Sequence, residues 1–154
     1  MIFREAKIND LQQLLNLEQK VIEAELAFSS SIKREKTSYY DIEDLISNGA
    51  SQLILAEDNN EIVGTGYAQI RASKEALVHD RHVYLGFMYV SPNYRGKGIN
   101  RRIIEILVAW SKLQSVHDLY LEVYSNNAPA IRAYEKTGFK PSLLEMNLRL
   151  EPDK

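Results

Sequence analysis

The chain of 154 residues is long enough to bury one core without covalent staples, and its 45% hydrophobic and 26% charged residues are the balance of a soluble globular domain. A net charge of −2 argues against nucleic acid as the main partner, and the lack of Cys excludes disulfides, thiolate metal sites and a cysteine nucleophile. The three His have no metal-ligand spacing, the N-terminus has no apolar run behind a basic start, and no stretch approaches roughly 18 apolar residues, so a cytoplasmic protein with neither metal nor membrane partner is expected.

Met1 to Lys7 reads as a short edge strand, and Asn9 or Asp10 as the cap of the helix that follows. Leu11, Leu14, Leu15, Val21 and Ile22 recur at helical spacing, and Ser29 to Ser31 break the pattern. A second helix is predicted from about Tyr39 to Ser47, ending near Gly49. Gln52 to Glu57 and Glu61 to Ile70 read as a hairpin around Asp58-Asn59-Asn60. Arg71 to Arg81 is a long polar turn. His82 to Val90 reads as a central strand with a bulge at Gly86.

After Pro92 the period becomes helical, with Ile99, Ile103, Ile106, Leu107 and Trp110 on the buried face. Leu119 to Tyr124 is another strand. Ala130 to Lys136 is a short helix, with Pro129 in its first turn and Gly138 ending it. Leu143 to Leu150 alternates and reads as the last strand. With no repeat and no linker, residues 1–154 are expected to form one α/β domain.

The segment Tyr94-Arg95-Gly96-Lys97-Gly98-Ile99-Asn100 follows a strand and opens a helix. Free helix N–H groups and the helix dipole favour an anion there, glycines allow close backbone approach, and Arg95, Lys97, Arg101 and Arg102 add charge. The segment reads as an anion-binding nest suited to a pyrophosphate, or as a tight turn with solvated cations. Walker A and dinucleotide patterns are both absent.

Residues 89–99, YVSPNYRGKGI, resemble the coenzyme A signature of the Gcn5-related N-acetyltransferases (the GNAT superfamily), Q/R-x-x-G-x-G/A behind a strand ending in V-x-P. Arg95 and Gly98 match, and Asn100 stands where Gly or Ala is usual. Residues 121–139, LEVYSNNAPAIRAYEKTGF, resemble the family's second motif, a strand, N-x-x-A-x-x-x-Y and a helix end at G-F. Asn127, Ala130, Tyr134 and Gly138-Phe139 fall in register.

The resemblance implies a GNAT fold: a mixed central sheet of about six to seven strands with splayed central strands, and about four helices. It also implies acetyl-coenzyme A as cosubstrate. Met88, Tyr89 and Val90 would offer the splayed edge to the pantetheine amides, and a backbone N–H there would polarise the thioester carbonyl. Arg95, Gly96, Lys97, Gly98, Ile99, Asn100 and Arg101 would hold the phosphates. Asn127 would bond the cofactor, cap its helix, or do both. Tyr134 would be the general acid for the departing thiolate, against the plain alternative of packing on Phe139.

Glu122 is the candidate base, or a surface residue. An alkyl ammonium has a pKa of about 10.4, so something must take its proton near neutrality. N-terminal acetyltransferases of ribosomal proteins, in this family, have a base glutamate at the matching place. Many members place the base on the strand before V-x-P, where His82 and Tyr84 are the candidates here, and water relays are a further route. The family's acceptor wall corresponds to about Leu26 to Tyr40, with Phe28, Tyr39 and Tyr40 and the nearby Glu18, Glu23, Glu25 and Asp41 suited to a cationic amine. The expected activity is direct attack by an amine, of a small molecule or a peptide, in a ternary complex. The alternative is a module that binds or senses acyl-coenzyme A without turnover. The resemblance leaves room for a homodimer.

Overall fold

In the computed structural model, which describes residues 1–153, the chain divides into a unit spanning Met1–Glu122 and a second unit beginning at Val123. The first unit holds β1 (Ile2–Glu5), α1 (Leu11–Glu25), α2 (Ile42–Ser47), β2 (Ser51–Asp58), β3 (Glu61–Ala72), β4 (Arg81–Val90), α3 (Ile99–Leu113) and β5 (Leu119–Leu121). The second holds α4 (Ala128–Lys136). The sheet runs β1-β2-β3-β4-β5, antiparallel throughout except for the parallel β4–β5 pair. This mixed α/β architecture has five strands among the described residues, not six or seven. The 143–150 stretch, expected as the last strand, forms none, since alternation gives a strand a two-sided pattern without supplying a neighbouring strand to pair with.

The β2–β3 turn forms at Asn59 and Asn60, whose φ of 50° and 63° suit the tight hairpin that matches strand twist. Leu14, Leu17 and Val21 of α1, with Ile42 and Leu45 of α2, pack on Leu53, Leu55, Tyr67, Phe87 and Tyr89. On α3 the buried stripe is Ile99, Ile103, Ile104, Leu107 and Ser111. Ile106 and Trp110, expected inside, are only half-buried because the stripe is rotated toward Ile104. Gly64 and Gly66 let α3 lie close to β3: a Cβ on Gly64 would stand 2.9 Å from Ile99 Cγ2, and one on Gly66 2.7 Å from Ile103 Cγ2.

Three local expectations shift. Asp10 stands at the start of α1 without capping it. Its carboxylate instead accepts two bonds from Arg4, at 2.8 and 2.9 Å, and one from the Lys7 N–H at 2.7 Å. The Arg4 guanidinium holds that carboxyl below the usual carboxylate range. Helix α2 begins at Ile42, capped by Asp41, which accepts from the Asp44 N–H, so Tyr39 and Tyr40 lie before the helix. Strand β5 ends at Leu121, three residues short of the expected Tyr124.

The bulge in β4 falls beside Gly86 rather than on it. Pairing shifts register between Thr65 and Tyr67, and Phe87 takes a φ of 52°, rare for a bulky side chain. The buried Thr65 hydroxyl donates to the Phe87 carbonyl at 2.7 Å, satisfying a group that the irregular ladder would leave unpaired. The bulge also resets the alternation. Gly86 before it, and Phe87 and Tyr89 after it, all meet the α1–α2 side of the sheet, where a Cβ on Gly86 would stand 2.5 Å from the Tyr67 ring.

Candidate functional site

The glycine-rich turn is built as an open nest. A short 3-10 turn, Pro92–Tyr94, leads into Gly96 and Gly98, with φ of 76° and 79°, and Gly98 opens α3 with no side chain capping it. A Cβ on either glycine would meet no atom within 4 Å, so the space before the helix N-terminus is clear. Lys97, Arg101 and Arg102 are exposed around it. Arg95 Nε donates to the Val90 carbonyl at 3.1 Å and ties the turn to the end of β4, while the Tyr94 hydroxyl donates to Asp58 at 2.8 Å. A clear, positively charged helix start fits a phosphate-bearing cosubstrate.

Strand β4 offers the second feature. Its pairing with β5 covers only Val83 to Leu85, yet the strand runs on to Val90. From Gly86 onward its edge away from β3 has no strand partner among the described residues. Met88, Tyr89 and Val90 lie on this stretch, where the Val90 carbonyl accepts from Arg95 Nε.

An aromatic and acidic cluster forms on the α1–α2 side. Tyr40 stacks on Phe87 with ring centres 4.9 Å apart, meets Tyr67 edge-on at 5.8 Å, and Tyr67 lies 6.3 Å from Tyr84. The Arg71 guanidinium sits 4.0 Å over the Tyr84 ring. A cavity of about 170 Å³ opens among Tyr39, Tyr40, Asp41, Asp44, Tyr67 and Arg71. Burial raises the Tyr84 hydroxyl well above the ordinary phenol range, and the charge of Glu122 adds to it. Burial likewise raises Tyr40, with the charge of Glu25 second. Burial pushes the Glu25 carboxyl up, against a hydrogen bond from Tyr39. Two carboxylates therefore bear on a cluster of protonated phenols.

Glu18 is not among them. It is 1% exposed on α1, and its Oε2 accepts the backbone N–H groups of Tyr39 and Tyr40 at 3.0 and 2.8 Å. Its carboxyl group holds the wall in place and is not offered to a ligand. The sequence carried the signal, since Glu18 falls on the apolar stripe of Leu14, Val21 and Ile22. Glu18→Ala removes the acceptor of two part-buried N–H groups. Hydrogen exchange at the Tyr39 and Tyr40 amides is expected to accelerate at least tenfold, with stability lowered by roughly 2–5 kcal/mol. Unchanged protection of those amides would contradict this role.

His82 lies in a network that the sequence did not reveal. Ser73 Oγ is 2.7 Å from His79 Nδ1 and 3.0 Å from His82 Nδ1, and His79 Nε2 is 2.9 Å from the Tyr120 hydroxyl. Burial, then the charge of His79, lowers the His82 pKa, so its imidazole is neutral near pH 7.

In the second unit, Asn127 caps α4, accepting from the Ala130 N–H at 3.4 Å. Asn127, Ala130, Ile131 and Tyr134 are half-buried and share one helical face. The Tyr134 ring meets Phe139 edge-on at 6.2 Å, and the backbone folds back there, with the Phe139 N–H donating to the Tyr134 carbonyl. Gly138, at a φ of 102°, makes that turn. The capping by Asn127 and the packing of Tyr134 are thus both present.

Known proteins share this architecture. A Bacillus halodurans protein, crystallised as a tetramutant, superposes with a TM-score of 0.84 at 25% identity over 97% of this chain and all of that one. A predicted acetyltransferase from Clostridium acetobutylicum, crystallised with acetyl-coenzyme A, has a TM-score of 0.73 at 23% identity over 95% of each chain, a likeness of fold. The ribosomal protein bS18-alanine N-acetyltransferase of Escherichia coli is 36% identical over 58 residues, 38% of this chain and 39% of that enzyme. The chain spans well under half the length of the curated relatives it matches. The family model described as acetyltransferase (GNAT) matches residues 13–139, and the chain belongs to that family.

Proposed function

We propose that the protein transfers the acetyl group of acetyl-coenzyme A to an amine by direct attack in a ternary complex. The observation that carries this reading is the clear nest at Gly96 and Gly98 beside the unpaired end of β4. Acetyl-coenzyme A supplies an activated thioester. Gly96 to Arg101 hold its phosphates, with Asn127 contributing, and the edge from Met88 to Val90 orients its arm and polarises the carbonyl through a backbone N–H. Both units belong to one acetyltransferase domain.

Glu122 takes the proton of the acceptor ammonium, directly or through water, and His82 is the second candidate. Tyr134 donates to the departing thiolate. Glu25, Glu122 and the tyrosine cluster favour a cationic amine, and both a small polyamine-like molecule and a peptide amino group have that chemistry. A panel of polyamines, aminoglycosides, amino acids and N-terminal peptides, followed by coenzyme A release, is expected to give at least one acceptor. Release that no amine accelerates would overturn transfer and favour a binding module.

The base carries a pH signature. Glu122→Gln is expected to depress kcat/KM by about 10²–10⁴ near neutrality. The defect shrinks as pH approaches about 10.4, where the amine loses its proton unaided. A loss independent of pH would remove Glu122 from this role and direct attention to His82.

A further inference from the structure

Gln69 and Arg71 of β3 share the sheet face that carries Tyr84, since Gln69 pairs with Tyr84 and Arg71 with His82. The Arg71 guanidinium lies 4.0 Å over the Tyr84 ring. Its Nε donates to Gln69 Oε1 at 2.9 Å, and the side chain also hydrogen-bonds the Tyr67 hydroxyl. Stacking and these bonds hold the planar fork in one place. Arg71 forms no ion pair among the described residues, whereas Arg4, Arg101 and Arg102 each have a carboxylate partner. A fixed fork with donors to spare suits a bidentate anion.

The cavity beside it carries both signs of charge. Arg71 lines one part, Asp41 and Asp44 another. A polyamine meets the guanidinium there, and a dicarboxylate meets the two aspartates. A molecule with one ammonium and one carboxylate suits both. A phosphate, with nearly two charges, faces the aspartates less favourably than a carboxylate does. The volume of about 170 Å³ is below the roughly 300–1,000 Å³ of sites for drug-sized molecules, so the occupant is small. Burial leads the rise of the Tyr84 hydroxyl, the charge of Glu122 adds to it, and that of Arg71 opposes it. The candidate base and the guanidinium therefore bear on one side chain from opposite signs.

We propose that the acceptor is a small amino acid, with Arg71 holding its carboxylate and its amine turned toward Glu122. The inference rests on the transfer reaction proposed above and narrows its amine to one that carries an acid. Two parallel bonds from the guanidinium to the carboxylate fix orientation as well as charge. The Tyr84 ring beneath keeps the fork from swinging away. An acceptor anchored by its acid presents its amine in one direction, so removing the acid costs both affinity and alignment. Arg71 is thus a specificity-determining residue that touches the acceptor away from the reacting atoms.

The test compares acceptors that differ in the acid alone: lysine with its carboxamide and with cadaverine, and alanine with alaninamide, each followed by coenzyme A release. Wild type is expected to favour the acid by about 30-fold or more in kcat/KM, chiefly through KM. Arg71→Ala is expected to shrink that preference to about threefold or less. Arg71→Lys, a point charge without the fork, is expected to keep only about a tenth of it, and decides the matter should the alanine variant not fold. Equal use of acid and amide by the wild type overturns the inference, as does a full preference in a folded Arg71 variant. Faster turnover of aminoalkyl phosphates than of the amino acids overturns it too. In each of these cases amine acetylation itself stands. A wild type inert toward every amine overturns the reaction, and calorimetry then decides the site. Binding of lysine or alanine that weakens about 30-fold in Arg71→Ala upholds the carboxylate contact, and binding of neither overturns it.

Discussion

Gly98→Val is expected to abolish acetyl-coenzyme A binding in titration calorimetry while thermal unfolding stays cooperative. Gly98 has a φ of 79° and opens α3, and a Cβ placed on it would have no neighbour within 4 Å. A valine side chain therefore starts in open space and fills the region in front of the free helix N–H groups. The left-handed backbone adds a cost of about 1–2 kcal/mol for a non-glycine residue. That is less than the roughly 5–15 kcal/mol typical of a domain, so loss of binding with retained folding separates the nest from the scaffold. Normal binding by the variant would remove the phosphate role of this turn.

Tyr134→Phe is expected to lower kcat by about 10²–10⁴ with acetyl-coenzyme A affinity little changed. The substitution removes one hydroxyl and keeps the ring that meets Phe139 at 6.2 Å, so the packing role survives. A free phenol has a pKa of about 10 and a thiol of about 8.5. Full proton transfer from Tyr134 to a thiolate is therefore uphill by about 2 kcal/mol in water. Donation of a hydrogen bond as charge builds on sulfur avoids that cost and still favours departure. Turnover unaffected by the loss of the hydroxyl would leave Tyr134 as a packing residue alone.

The elements legible in the sequence are those whose signal is local. Asn59-Asn60 between two strand patterns marks the hairpin, because these residues tolerate positive φ. Gly96 and Gly98 before an apolar helical stripe mark the start of α3. The features that differ depend on partners remote in sequence. Tyr39 and Tyr40 carry a helical pattern, but Glu18, some twenty residues earlier, draws their N–H groups away from the helix. The bulge lies at Phe87 rather than Gly86 because Thr65 on the neighbouring strand accommodates the Phe87 carbonyl. Leu143 to Leu150 has the alternation of a strand, and alternation alone does not supply the edge that makes one.

The candidate site divides along the same line. The nest is readable because one contiguous turn builds it. The cluster of Tyr40, Tyr67, Tyr84 and Arg71 is not, since it draws on β3, β4 and the loop before α2. The contact of Ser73 with both His79 and His82 depends on how the β3–β4 loop closes, which no spacing rule encodes.

The most direct measurement of the central claim is initial-rate kinetics with acetyl-coenzyme A and an accepting amine varied together, the product being weighed by mass spectrometry. Without Cys in the chain there is no thiol to carry the acetyl group. Direct transfer predicts intersecting reciprocal plots, a product one acetyl group heavier on nitrogen, and no acetylated protein. Parallel plots with an acetylated enzyme would contradict direct transfer, and acetylation of hydroxyl acceptors alone would contradict the amine assignment.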